Sequence, residues 1–379
     1  MHRFLRTVSN RVKALASWSA IATIGLLIPL CEPATAQQGI LVPNATAHGD
    51  LDRLRTLPAF VDSHTCSSQD CTIPVDPIHL TIGISGSPSV RIVFTEAEDT
   101  RNIRRESSLQ SINDIAERPL LLRGTSYYRH SSESRGVIEL PVAGTIYRDN
   151  GQLELEVALT GINRRSPERL SVFRALLGTP ELGKSVSGRA AHPSSRAFQA
   201  SPCGTPGAAH ESHRAQVMNS RSPIRSYGRT KVLYLGTDFD TQFMRAAKCK
   251  TASRCNNQIV SLVNQSSTYY QRQLGTRLRV ERQRGATTFT SGTSDASDMI
   301  DNYGVYIESN YSRFLHDGYN SGGKLVDGFV GFTGQKMLNN VVGIATIGVY
   351  CDNSSSLTSR MVVQHVSSSI NPLIIAHEL

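Results

Sequence analysis

The alternation of apolar and polar positions is clearest in Gln152-Leu153-Glu154-Leu155-Glu156-Val157-Ala158-Leu159, which has the period of a strand with one buried face. Similar runs at His79–Ile84, Val90–Thr95, Gly136–Leu140 and Val142–Arg148 make the first half of the chain β-rich. The lead-in from Gln37 to about Ser85 carries Pro43, Pro58, Pro74 and Pro77 and reads as loop-rich. Between about Gly183 and Gly228 the composition shifts to Ser, Gly, Ala, Pro and Arg, and periodicity disappears. That stretch is predicted to be an extended linker.

Periodicity returns at Lys231. The nearly continuous apolar run Lys231–Asp238 suits the centre of a sheet. Ile259, Val263, Tyr270 and Leu274 then fall near helical spacing, and Leu278–Arg282 alternates as a strand. A second helix is predicted over Asp295–Phe314, with Met299, Tyr303, Tyr306, Ile307 and Phe314 in the core. Strands follow at Leu325–Phe332 and Val341–Tyr350. Asn371–Leu379 opens a last helix. Asn371 is placed to cap its free N–H groups, Pro372 sits where a missing N–H costs nothing, and Leu373, Ile374 and Ile375 supply a buried face. The order strand, helix, strand, helix, strand, strand, helix predicts an α/β layer with the closing helix beneath its sheet. Four regions are therefore expected: 1–36, 37–182, 183–229 and 230–379.

With 379 residues, 39% of them hydrophobic, the chain can hold two domains with cores of their own. The net charge is +9, of which residues 1–36 supply +3 through Arg3, Arg6, Arg11 and Lys13 against Glu32. No Lys/Arg stripe interleaved with aromatics appears, so no nucleic-acid partner is expected. The same N-terminus has the positive region, the apolar run Ala14–Leu30 and the small residues Ala34-Thr35-Ala36 of a secretory signal. That run is nearly long enough to span a bilayer. Ser17, Ser19 and Thr23 dilute it, and no other stretch could cross, so no stable membrane span is expected after cleavage. Export would place Cys66, Cys71, Cys203, Cys249, Cys255 and Cys351 in an oxidising compartment. Cys66/Cys71 and Cys249/Cys255 are each close enough to close a small loop, though spacing does not decide pairing; if both form, Cys203 and Cys351 remain.

His377-Glu378 matches the first half of an H-E-x-x-H helix, in which two histidines one turn apart hold zinc and the glutamate acts as base. The second histidine position lies past Leu379. Alone, the dipeptide occurs by chance in many chains and is far more often a polar helix terminus. His64, His79 and His130 are scattered and suggest no ligation.

In context, Lys231–Leu379 resembles the N-terminal part of an ADAM/reprolysin-type catalytic domain, a branch of the metzincin zinc peptidases. The residues carrying the resemblance are Phe332-Thr333-Gly334, Gly343-Ile344-Ala345-Thr346-Ile347-Gly348 with Cys351 after it, and Ile375-Ala376-His377-Glu378-Leu379. The resemblance implies a metzincin-like mixed sheet with helices, in its N-terminal subdomain only, preceded by a β-rich propeptide domain. It implies that His377 is the first Zn2+ ligand, Glu378 the general base, and Gly343, Ile344, Ala345 and Thr346 the strand that receives an extended peptide. The remaining ligands of the family motif lie four and ten residues after the first, beyond the sequence given, so the chain as it stands is expected to be inactive. Cys351 matches a cysteine whose family partner also lies further on. Ca2+ would follow from analogy alone, as no acidic cluster demands it. Pro202-Cys203-Gly204-Thr205-Pro206 resembles a cysteine-switch segment, whose thiolate occupies the metal's fourth position; an ordinary disulfide or an idle thiol is the other reading of Cys203. No dibasic site precedes Lys231, and Arg225 and Arg229 are the obvious processing candidates. The expected function is a secreted zinc endopeptidase made as a latent prepro-form and acting on peptide or protein substrates. The alternative is a secreted, non-catalytic binding module on the same scaffold.

Overall fold

The computed structural model describes residues 40–64, 71–85, 88–105, 117–129, 137–149, 151–159, 171–178, 185–192, 231–290, 292–316, 326–346, 360–367 and 371–379. The signal segment, Cys66, Cys203 and Cys351, and most of the predicted linker lie outside the described residues.

The first half opens with strand β1 (Ile40–Gly49), helix α1 (Leu51–Ser63), β2 (Thr72–Ile84), β3 (Val90–Asp99) and the two-residue strand β4 (Arg104–Arg105). It continues through β5 (Leu120–Arg129), β6 (Val137–Asp149), β7 (Gln152–Leu159), β8 (Ser171–Leu176) and β9 (Ser185–His192). Among the described residues β1-β2-β3-β5-β6-β7-β8-β9 form a closed antiparallel barrel, with β9 pairing back onto β1. Closure leaves no free sheet edge, and the alternating apolar side chains fill the interior, Phe94, Leu122, Ile146, Leu155 and Phe173 among them. Helix α1 lays Leu51, Leu54, Leu57 and Val61 on the same core.

Two parts of this half differ from the expectation. The lead-in read as loop-rich holds β1, α1 and all of β2, of which only His79–Ile84 was predicted as a strand. Its prolines sit where a ladder tolerates a missing donor: Pro43 at a register shift in β1, Pro74 and Pro77 at one in β2. Pro58 is buried within α1. Strand β9 lies in the stretch read as linker. Its Ser-Val-Ser-Gly-Arg-Ala-Ala-His has weak strand propensity, and pairing on both sides holds it. Gly188 is required there, because a Cβ would come within 2.5 Å of Arg174 O and the Phe173 ring. The two strands predicted over 136–148 are one, β6, which runs unbroken through Pro141.

The second half comprises β10 (Lys231–Asp240), α2 (Thr241–Ala246), α3 (Ala252–Leu274), β11 (Thr276–Thr287), α4 (Ala296–His316), β12 (Gly328–Thr333), β13 (Gly343–Ala345), β14 (Arg360–Gln364) and α5 (Asn371–Glu378). The sheet order is β13-β14-β12-β10-β11-β4. Neighbours are parallel except β13, which is antiparallel to β14; β4, from the first half, pairs parallel to β11. The mixed α/β class matches the expectation. β14 was not foreseen, and β13 is shorter than the predicted 341–350 run, whose last four residues lie outside the described ones.

Thr251 caps α3, accepting from Arg254 N, and Gly275 ends it with the left-handed backbone (φ 64°) that such a terminus favours. The Cys249–Cys255 disulfide pins its start. Cys71 is also disulfide-bonded. Helices α3 and α5 share one core with the sheet, through Ile259, Val263 and Ile375 against Leu235 and Phe239. Helix α4 covers another through Met299, Tyr303 and Ile307, against Phe329, Ile344 and Val362.

Candidate metal centre

Helix α5 is seated by its first residue. Asn371 was expected to cap the helix's own N–H groups, but its side chain points backwards. Oδ1 accepts from Val366 N (2.9 Å) and Ser367 N (3.0 Å), and Nδ2 donates to Gln364 O (3.4 Å). The segment leaving β14 is thus tied to the first turn of α5. Ile374 and Ile375 are buried, and Leu373 is half-buried.

At the other end of the helix His377 is exposed and Glu378 half-buried. Glu378 lies against β13. A Cβ on Gly343 would meet Glu378 Cγ and Oε1 at 2.8 Å and Ile374 Cγ2 at 2.9 Å. Glycine at 343 is therefore what lets the carboxylate reach the strand's backbone.

β13 forms one edge of the six-stranded sheet. Gln364 N donates to Val342 O (2.8 Å) and Thr346 N to Arg360 O (3.0 Å), with Ile344 opposite Val362. In an antiparallel pair such bonds alternate, so the peptide groups of Gly343 and Ala345 point away from β14. The Ile344 side chain goes into the core under α4. Of the four predicted strand residues, Gly343, Ile344 and Ala345 lie in β13, and Thr346 follows it.

Phe332-Thr333-Gly334, a resemblance motif without a stated role, proves to be a junction. Thr333 Oγ1 donates to Asp240 Oδ2 (2.5 Å), Gly334 N donates to Asp240 Oδ1 (3.3 Å), and Phe332 meets Phe243 edge-on at 5.6 Å. A Cβ on Gly334 would lie 2.1 Å from Gln242 O. Asp240 also accepts from Phe243 N (2.6 Å), capping α2, and from Thr290 Oγ1 (2.5 Å). Sequence reasoning missed Asp240; an aspartate immediately before a helix start was the available signal.

His365 was missed as well. It packs edge-on against Phe243 at 5.3 Å. Burial, aided by the positive Arg174, lowers its imidazole to about 4, so it is neutral near pH 7.

The described residues bring the Glu378 carboxylate against the edge strand, with an exposed imidazole next to it in sequence. An exposed imidazole suits zinc. Among the described residues no group of three or more His, Cys, Asp or Glu could hold a metal ion. They offer His377 as one ligand of a centre rather than a complete one.

Residues 256–379 match the family model described as Metallo-peptidase family M12B Reprolysin-like. No curated protein matches the chain. Among solved structures, metalloproteinase-II from Bacteroides fragilis is similar at 12% sequence identity, over 85% of this chain and 82% of that one. Its TM-score of 0.35 is too low to bear on the fold.

Proposed function

We propose, from the premise that residues 256–379 are reprolysin-like, that the protein is a secreted zinc-dependent endopeptidase made as a latent precursor. One observation carries this reading: the Glu378 side chain rests against Gly343 of the edge strand, with His377 beside it at the exposed end of α5. This contact supports reading Glu378 as a base beside a peptide-binding edge.

The roles follow from the chemistry of these groups. An extended substrate pairs with the outward peptide groups of Gly343 and Ala345, which holds it straight and strips water from its backbone. Glu378 takes the proton of the attacking water and returns it to the leaving amine nitrogen; such general acid–base work is worth about 10²–10⁴-fold. His377 would be one zinc ligand, with two further imidazoles supplied from beyond Leu379. Zinc, when bound, supplies Lewis acidity. Nothing among the described residues supports calcium.

The N-terminal signal pattern and the Cys249–Cys255 disulfide favour an exported protein. The barrel is assigned to the propeptide, and Cys203, in the connection between the halves, is assigned the role of latency switch.

The test extends the chain through the rest of its reading frame and compares wild type with Glu378→Gln. The variant is expected to lose cleavage of an unfolded protein substrate by at least about 10²-fold while binding the same zinc. Residues 1–379 alone are expected to hold no stoichiometric zinc. Undiminished cleavage by the variant, or an extended wild type that binds no zinc, would refute the proposal.

A further inference from the structure

Helix α5 is eight residues long, and the candidate centre's His377 and Glu378 sit at its far end. Burial of Ile374 and Ile375 presses the helix onto the sheet, but that force is non-directional and fixes neither tilt nor slide. Directional bonds do so at the near end, and they converge on Gln364.

Gln364, the last residue of β14, is bonded to both sides of the candidate site. Towards β13, its N–H donates to Val342 O (2.8 Å), directly before Gly343, and its Oε1 accepts from Met337 N (3.0 Å) in the loop that feeds the strand. Towards α5, its carbonyl accepts from Asn371 Nδ2 (3.4 Å). Asn371 is 0% exposed, and its Oδ1 accepts from the next two N–H groups but one, those of Val366 (2.9 Å) and Ser367 (3.0 Å). All three bonds of this side chain run to the segment leaving β14, so they clamp the first turn of α5 to that strand.

Strand β13 and helix α5 are thus referenced to the same residue, and they meet again where Glu378 and Ile374 rest on Gly343. That second contact is steric and sets how near the helix comes; the bonds at Asn371 set its angle. From Asn371 to Glu378 the helix rises about 10 Å, so a tilt of about 6° at the clamped end moves the carboxylate by about 1 Å. A displacement of that size can cost a reaction about 10²-fold. His377 and Glu378 ride on the same helix, so a tilt carries them together and leaves β13 behind.

We infer that Asn371, acting with Gln364, is a positioning residue: it fixes the angle at which α5 presents Glu378 to a peptide lying on β13. The inference rests on the endopeptidase reading of this site and adds to it the device that aligns base with substrate. Alignment is separable from binding here, because β13 keeps its own bonds to β14 when the clamp is cut.

The test uses the chain extended through the rest of its reading frame and a quenched fluorogenic peptide long enough to pair along β13. Asn371→Ala is expected to lower kcat by at least about tenfold, with KM changed by less than about threefold and zinc content unchanged. Asn371→Asp keeps the acceptor for Val366 N and Ser367 N and suits a helix N-terminus; it is expected to bring kcat back to within about threefold of wild type. A second readout needs no catalysis. In residues 1–379, amide hydrogen exchange at Val366 and Ser367 is expected to speed by about tenfold or more in Asn371→Ala and to slow again in Asn371→Asp, while β10 and β12 keep their protection. Should Asn371→Ala fail to fold, Gln364→Ala, which removes the acceptor for Met337 N, carries the same expectation for kcat, with Gln364→Glu as its rescue. Unchanged kcat, a loss confined to KM, zinc lost in step with activity, or a rescue variant no better than its alanine counterpart would overturn the inference and leave the endopeptidase reading standing. An extended wild type that binds no zinc or cuts no peptide would overturn both.

Discussion

Replacing Asp240 separates two accounts of the β10–β12 junction. If this carboxylate only caps α2, its loss costs about 1 kcal/mol. The geometry argues for more. Asp240 is 1% exposed, and its two oxygens receive Thr290 Oγ1, Thr333 Oγ1, Phe243 N and Gly334 N. Asp240→Ala would leave those four donors without this acceptor; at about 1 kcal/mol each, the low end for a buried unsatisfied group, the loss is about 4 kcal/mol. Asp240→Asn keeps the shape but makes all four bonds neutral, with the amide N–H groups facing the two hydroxyls, which must then accept, and should cost about 2 kcal/mol. Equilibrium urea denaturation of the full chain, followed by far-UV circular dichroism, gives the comparison. The expected order of stability is wild type, Asp240→Asn, Asp240→Ala. A cost of about 1 kcal/mol or less for Asp240→Ala, or equal costs for the two variants, would refute the four-donor account.

His365 sets a pH dependence. Its folded value of about 4 lies below the usual imidazole value of about 6.5, so the unfolded chain binds the extra proton between them. The stability tied to neutral His365 is complete above pH 6.5 and is lost as pH falls toward 4, by up to about 3 kcal/mol; His365→Phe, which keeps a ring against Phe243, should flatten that slope in urea titrations. Gly343→Ala places a methyl 2.8 Å from Glu378 Oε1. In the extended protein turnover should fall about tenfold or more with little change in zinc content, because small misplacements of a reacting group are costly. Unchanged turnover would mean that the Glu378 carboxylate is not held where the proposed mechanism needs it.

Much of the architecture was legible locally. Alternation over 152–159, the apolar run at 231–238 and the spacing of Met299, Tyr303 and Ile307 each record which face of an element is buried, and each element lies where its pattern put it. The side chain of Phe314, predicted with that core, lies outside the described ones. Helix α1 and strand β9 were not legible, since prolines obscured the one and weak propensity the other. Barrel closure supplies the non-local pairing that sustains β9. For the candidate site, the residue types in His377-Glu378 and the 343–346 run were visible in the chain, but their meeting across Gly343 was not.

Periodicity is a local quantity: it states how much of an element must be hidden from water, and so the sequence by itself determined the β-rich first half, the α/β second half and the apolar face of α5. It carries no record of what does the hiding. Only the tertiary structure decided that a barrel covers the polar Ser261, Asn264 and Gln265 of α3, that Asp240 meets a threonine 93 positions away, and that Glu378 rests on the edge strand, because such contacts depend on surfaces meeting across long loops whose closure no local pattern encodes.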